Sequence, residues 1–375
     1  MSPTGALDGL VVADFSRVLA GPYATMLLAD LGAEVVKVER PGTGDDTRAW
    51  GPPYDVEGGS TYFGSVNRNK ESRAVDLRSP DGLAAARALV MRSDVVVENF
   101  APGTFARLGL GYAELSAEHP RLVMCSISGF GSAAGAELPG YDLLVQAMGG
   151  LMSITGPGPD HPTKAGVALV DVVTGLHAVY GILAALRHRD RTGEGQHVEV
   201  NLLSSLLSAM VNQSASYAAA EVVPASLGND HPSSAPYGVY AAGDRPFVLA
   251  VGNDRQFQRL VAVLGVSALG TDPRFATNPS RVAHRAPLRT LLEAELSRHG
   301  VEHWHRELTA VGVPCGPIND MAGAFALAAS LGLDPTVAVP GSEVAQVANP
   351  LRMSATPPTY RLPPPSLDAS SPVHP

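Results

Sequence analysis

Residues 10–39 read LVVADFSRVLAGPYATMLLADLGAEVVKVE, and the fold class turns on them. "LVVADF" (10–15) is a short apolar run with the composition of a buried strand. "GPYATMLLADLG" (21–32) has helical spacing, and "AEVVKVE" (33–39) is again Val-rich. Strand, helix and strand in this order make a βαβ opening. The alternation continues with a helix at 79–92, a strand at 93–99, a short helical piece near 102–107 and a strand at 121–128. Val-rich strands separated by helices indicate an α/β fold whose sheet is mostly parallel and covered on both faces.

From Tyr141 the pattern turns helical, over 141–152, 171–188 and 199–220. Residues 221–236, EVVPASLGNDHPSSAP, carry the Pro, Ser and Asn of a linker. Two strands around a Gly-Asp turn follow in YGVYAAGDRPFVLAVGN, then helices near 254–264, 284–298 and 302–311, so a smaller α+β domain is expected at about 225–315. The tail brings "GVPCGPIND", an alanine-rich helix at 322–330 and a proline-laden stretch at 356–375 that is expected to run over a surface.

A chain of 375 residues exceeds what one hydrophobic core usually covers, which agrees with a large and a smaller domain. With 45% hydrophobic and 17% charged residues, disorder is not the theme. The net charge of -9 argues against a general nucleic-acid binder, because neutralising phosphates needs clustered cations. Cys125 and Cys315 have the spacing of neither a zinc site nor a disulfide framework, as expected for a cytoplasmic protein. No signal peptide is evident, and the most apolar helical stretch, 176–186, is too short to span a bilayer, so no membrane partner is expected.

The chemistry-bearing motifs are sparse. Gly129, Gly131 and Gly135 do not form a GxGxxG fingerprint and read as a turn. Gly21-Pro22 opens the first helix, either as a plain start or as a set of free N–H groups suited to an anion. Arg40 and Arg78 follow strand ends, where open sheets bind ligands, although surface arginines are common there too. His303 and His305 face different sides of one helix and make no metal pair, and GxSxG, Walker A and HExxH motifs are absent. Asp171 is the anomaly, one carboxylate in the otherwise almost uncharged TKAGVALVDVVTGLHAVYGILAAL (163–186). It is either a helix N-cap or a nucleophile kept ionised in a dry site by helix-start N–H groups, and local sequence leaves both open.

Six blocks in order resemble the class III coenzyme A transferases. They are LDGLVVADFSRVLAGPYATMLLADLGAEVVKVERPGTGDDTR, NRNKESRAVDLRSPDG, DVVVENFAPGTFARLGLGY, GYDLLVQAMGGLMSITG, DVVTGLHAVYGILAAL and GVPCGPIND. That family includes formyl-CoA:oxalate and carnitine CoA-transferases and is related to the 2-methylacyl-CoA racemases. The resemblance implies a Rossmann-like large domain from both chain ends (1–220 and 316–375), a small domain (225–315), and an interlaced homodimer. It implies Asp171 as nucleophile, Val18 and Leu19 beside the CoA thiol, and Arg40, Leu77 and Arg78 near the adenine nucleotide. Asn99, Phe100, Ala101, Arg107 and Tyr141 match further CoA contacts. The implied substrates are an acyl-CoA and a small carboxylic acid, with no metal and no cofactor beyond coenzyme A itself. Two other readings are a 2-methylacyl-CoA racemase and a non-catalytic CoA-binding relative. The racemases carry a histidine where this chain has Tyr141, a poor base at neutral pH. The formyl-CoA:oxalate type carries a glycine run that 249–257 lacks, which argues against oxalate as acceptor.

Overall fold

The computed structural model describes residues 5–367 and divides into two compact units. One comprises the chain up to Leu151, Lys164–Val223 and the chain from Asp334 onward; the other comprises Met152–Thr163 and Pro224–Leu333.

The first unit is built on six parallel strands, β1 (Val11–Asp14), β2 (Glu34–Glu39), β3 (Lys70–Ala74), β4 (Val95–Glu98), β5 (Val123–Ser128) and β6 (His197–Asn201), in the order β3-β2-β1-β4-β5-β6. Alternate residues of a strand point to opposite faces, and here both faces are apolar. Val12, Val35, Val95, Val97 and Val123 pack against the helices Ala20–Asp30 and Leu169–Thr192. Ala13, Val36, Val38, Val96 and Met124 pack on the other side against Ala86, Leu89 and Val90 of the Pro80–Arg92 helix.

Two strands depart from the sequence reading, and both are edges. β3 reads KESRA, and its burial falls on polar side chains, Lys70 and Ser72, whose carboxylate partners Asp14 and Glu39 lie far along the chain. β6 reads HVEVN and takes the residues from which a helix over 199–220 was expected. The helix starts only at Leu202, where the Asn201 side chain accepts the Ser204 N–H at 2.8 Å, and a second helix, Val211–Ala220, follows the first.

The Leu169–Thr192 helix has 24 residues, not the shorter span expected, and by length and composition it is apolar enough to cross a membrane. Its apolar content is used against the sheet. Val170, Ala178, Ile182 and Ala185 are fully buried there, and buried Arg189 pairs with Asp94 at 2.9 Å. Gly175 is required, because a Cβ would sit 2.7 Å from the Ala20 carbonyl oxygen. The proline-rich tail crosses the same unit as a strap. Asn69 donates to the carbonyls of Leu362 and Thr359, and Arg361 donates to those of Ala29 and Ala33. The part of this stretch at 368–375 lies outside the described residues.

The second unit carries an antiparallel sheet of β7 (Tyr237–Ala241), β8 (Pro246–Ala250) and β9 (Cys315–Pro317). Phe247, Leu249, Phe257, Leu260, Leu292 and Trp304 form its core with the helices Asp254–Val263, Arg285–Leu296 and Val301–Ala310.

Candidate active site

In this strand order the connections leave β1 and β4 toward opposite edges, which opens a crevice beyond their carboxyl ends. A cavity of about 390 Å³ lies there, with Arg17, Val18, Leu19 and Ala20 after β1, Asn99, Phe100 and Ala101 after β4, and Tyr141 and Asp171 among its walls. A second cavity of about 590 Å³ holds Arg40, Leu77 and Arg78 together with Val38 and Leu108. Arg17 and Phe100 line both. Ten of the eleven residues singled out from the sequence therefore line two adjoining cavities. Arg107 lines neither; its guanidinium donates to the Thr104 hydroxyl at 2.7 Å.

Three arginines face this pair of cavities. Arg17 and Arg40 share the Asp46 carboxylate, and Arg78 pairs with Asp76 at 3.1 Å. All three guanidiniums are substantially in water, so these ion pairs are weak and readily exchanged for a bound anion.

Asp171 occupies the first turn of its helix without capping it. The cap comes from another helix: Asp142 Oδ1 accepts the N–H groups of Val170 (2.8 Å) and Asp171 (3.2 Å). Gln146 donates to Asp142 and accepts the Ala165 N–H at 2.8 Å, which fixes the entry into the helix. The expectation that the acid is held ionised by the N–H groups of its own helix start is therefore corrected, because Asp142 takes two of those groups. No side-chain donor among the described residues bonds the Asp171 carboxylate. Burial, and then the Asp142 charge, push its pKa up to about 7. What it faces is a different helix start. Gly175 lies one turn further along on the same face and touches Ala20, so Asp171 stands over the opening of the Ala20–Asp30 helix.

Sequence reasoning missed three residues here. Asp142 reads as an ordinary first-turn acid, and its bond to a helix twenty-eight residues away has no local signature. Tyr62 is pushed up to about 12 by burial and then by Asp171, Asp142 and Asp45, so its hydroxyl keeps its proton near the site. Arg17 sits inside the first matched block, directly before Val18, and nothing in the local pattern marks it as a site residue. Among the described residues no group of His, Cys, Asp and Glu is gathered to hold a metal.

The model of CoA-transferase family III matches residues 7–371. The succinate–glutarate CoA-transferase of Agrobacterium fabrum is 44% identical, covering 96% of this chain and 92% of that protein. The acetyl-CoA:oxalate CoA-transferase of Acetobacter aceti is 42% identical, covering 86% and 83%. Among solved structures, a CaiB/BaiF family protein from Brucella suis superposes with a TM-score of 0.87 at 42% identity, covering 97% of each chain. A crevice built on the Rossmann strand order, with an under-solvated carboxylate beside a cavity edged by arginines, thus occurs in a chain that belongs to CoA-transferase family III and is a CoA-transferase.

Proposed function

We propose that this chain moves CoA between a dicarboxylic acyl-CoA and a free dicarboxylate through covalent intermediates on Asp171. The observation that carries the reading is a carboxylate in the switch-point cavity with no cation partner among the described residues and a pKa pushed up to about 7. Poor solvation makes such a carboxylate more basic and a better nucleophile than an exposed aspartate.

A carboxylate oxygen of Asp171 attacks the thioester carbon, the C–S bond breaks with its electron pair on sulfur, and a mixed anhydride and CoA thiolate result. The thiolate attacks the Asp171 carbonyl, releases the donor acid as its carboxylate and forms an aspartyl-CoA thioester. The acceptor carboxylate repeats these steps in reverse, which returns Asp171 to its ionised form. No net proton is taken up, and the thioester's free energy is retained as long as water is kept out. The two cavities suit the two ends of CoA, with Arg40, Leu77 and Arg78 at the nucleotide and Val18 and Leu19 at the thiol.

Dicarboxylic substrates are supported by the similarity to the succinate–glutarate enzyme. The missing glycine run at 249–257 sets the chain apart from the formyl-CoA:oxalate type, while the similarity to the Acetobacter aceti enzyme keeps oxalate among the acceptors to test. An interlaced homodimer belongs to the same reading, supported by apolar side chains that one chain leaves in water, Leu176 and Tyr180 on the long helix and Leu207 and Val211 after it.

The purified protein, given succinyl-CoA and a panel of free acids, should yield new CoA esters by mass, glutaryl-CoA first. Hydroxylamine added to enzyme and acyl-CoA should leave a hydroxamate at Asp171 in the peptide map. Asp171→Asn should remain folded, bind CoA and lose transfer by roughly four orders of magnitude, the scale of removing a covalent nucleophile. A near-normal rate in that variant would end the reading.

A further inference from the structure

The stretch Phe15–Leu19 joins β1 to the Ala20–Asp30 helix, and its Arg17, Val18 and Leu19 form one wall of the Asp171 cavity. Val18 has φ +69°, a left-handed conformation that a β-branched residue rarely adopts. The surroundings hold it there group by group. The Ser16 N–H donates to Asp14 at 3.0 Å, and the Ser16 carbonyl accepts from Lys37 at 2.9 Å. Asn99 takes both polar groups of Arg17, accepting its N–H at 2.9 Å and donating to its carbonyl at 2.8 Å. The Val18 N–H reaches Asp45 at 3.3 Å, and Asp45 is paired with Lys37 at 2.9 Å in full burial. Gly21 completes the turn, because a Cβ would lie 2.2 Å from the Ser16 hydroxyl.

Five successive backbone groups are thus captured by side chains, and then the capture stops. The Leu19 N–H has no partner among the described residues. Those of Ala20 and Gly21, at the start of the helix, have none within it, and Pro22 has no N–H. Leu19 and Ala20 are walls of the cavity that contains Asp171.

We propose that Asn99 is a positioning residue for the transfer reaction, clamping Arg17 so that Val18 stays left-handed and the free N–H groups of Leu19 and Ala20 face the carbonyl oxygen that turns into an oxyanion at Asp171. The proposal rests on the Asp171 reading above. An amide already engaged at both ends by backbone has little left for CoA, so the role lies in the loop. Backbone donors fixed in advance toward developing charge stabilise it without reorganising during the reaction.

Glycine supplies the test, because it adopts positive φ without penalty. Asn99→Ala should lower kcat about a hundredfold, the scale of losing one oxyanion donor, with KM for acyl-CoA within threefold of wild type. In the double variant Val18→Gly/Asn99→Ala, kcat should recover at least tenfold over Asn99→Ala. An unchanged kcat with a raised KM would make Asn99 a plain CoA contact and overturn the proposal, as would a double variant no faster than Asn99→Ala. Should Asn99→Ala fail to fold, Asn99→Asp, which keeps only the acceptor, decides by the same comparison with and without Val18→Gly. Hydroxylamine trapping on wild type separates the two readings: an unlabelled Asp171 sinks both, whereas a labelled Asp171 with an indifferent Asn99 sinks this one alone.

Discussion

Asp14 and Asp171 are the same side chain in the same unit, yet their surroundings treat them oppositely. Asp14 ends β1 and is fully buried, which by itself would raise its pKa. Lys70 and Lys37, with the hydroxyls of Ser16 and Thr25, overcome that and pull it down to about 2. Asp171 is less enclosed, but it meets no cation among the described residues; burial and the like charge of Asp142 raise it to about 7. Coulomb attraction in a dry interior exceeds the desolvation cost only where counter-charges are within bonding distance, as Lys70 is at 3.1 Å from Asp14. A carboxylate satisfied in this way is a structural element with a charge it does not give up. One left unsatisfied stays reactive, and the fold carries its cost.

The largest effect should come from breaking the satisfied one. In Asp14→Asn two buried lysines lose a shared counter-ion, a change of the kind that costs about 3–5 kcal/mol. Urea unfolding at pH 7 is the measurement, and a loss below about 1 kcal/mol would show that Asp45 and the neighbouring carbonyls suffice for both lysines. The sign with pH follows from the lowered pKa. The unfolded carboxyl takes up its proton near 4 and the folded one only near 2, so Asp14 stabilises the fold fully above about pH 4 and loses that contribution as pH falls toward 2.

For Asp171 the sign reverses. Its folded pKa lies above the unfolded one, so between about 4 and 7 the folded state holds a proton that the unfolded state releases. Stability therefore declines as pH rises through that window, and the deficit is complete above 7. Asp171→Asn has no charge to desolvate and should be more stable than wild type at pH 8 by roughly 1–3 kcal/mol, discounted for solvent reaching the cavity, and no more stable at pH 4. Thermal melts of both proteins at the two pH values check this. Equal curves at pH 8 would mean that the charge is better solvated than its surroundings indicate, and would weaken the contrast with Asp14.

The contrast also marks what the sequence revealed. The four inner strands were legible because both of their faces are apolar, which leaves continuous Val-rich runs at 11–14, 34–39, 95–98 and 123–128. The edges were not. β3 buries Lys70 for the sake of Asp14, fifty-six residues earlier, and β6 is half-exposed and runs straight into a helix. At the site, Asp171 stood out because an acid in an apolar run violates the local pattern, and the matched blocks supplied nine further lining residues, though not Arg17. The loop Ser16–Leu19 gave no such signal. Its conformation is set by Lys37 inside β2 and by Asp45 and Asn99 in loops, none of which has a local signature pointing to Val18.

The smallest expected effect is also the most specific, because it separates the two causes that raise Asp171. Asp142→Asn keeps an oxygen for the N–H groups of Val170 and Asp171 and removes the like charge. Its new amide N–H₂ meets the Gln146 donor that now bonds the carboxylate, so a stability loss of about 1 kcal/mol is expected. Transfer should persist. In wild type, kcat/KM should rise with pH through about 7 as Asp171 ionises. In Asp142→Asn that rise should begin at lower pH, so the variant is several-fold faster than wild type at pH 5.5. At pH 8 it should be somewhat slower, because its Asp171 is ionised but less basic. The rise should still lie above the ordinary carboxylate range, since burial is the larger cause and the substitution leaves it in place. Two crossing profiles are thus the expected outcome. Profiles that superimpose would assign the whole shift to burial and remove Asp142 from the electrostatics of the site, leaving it the helix cap alone.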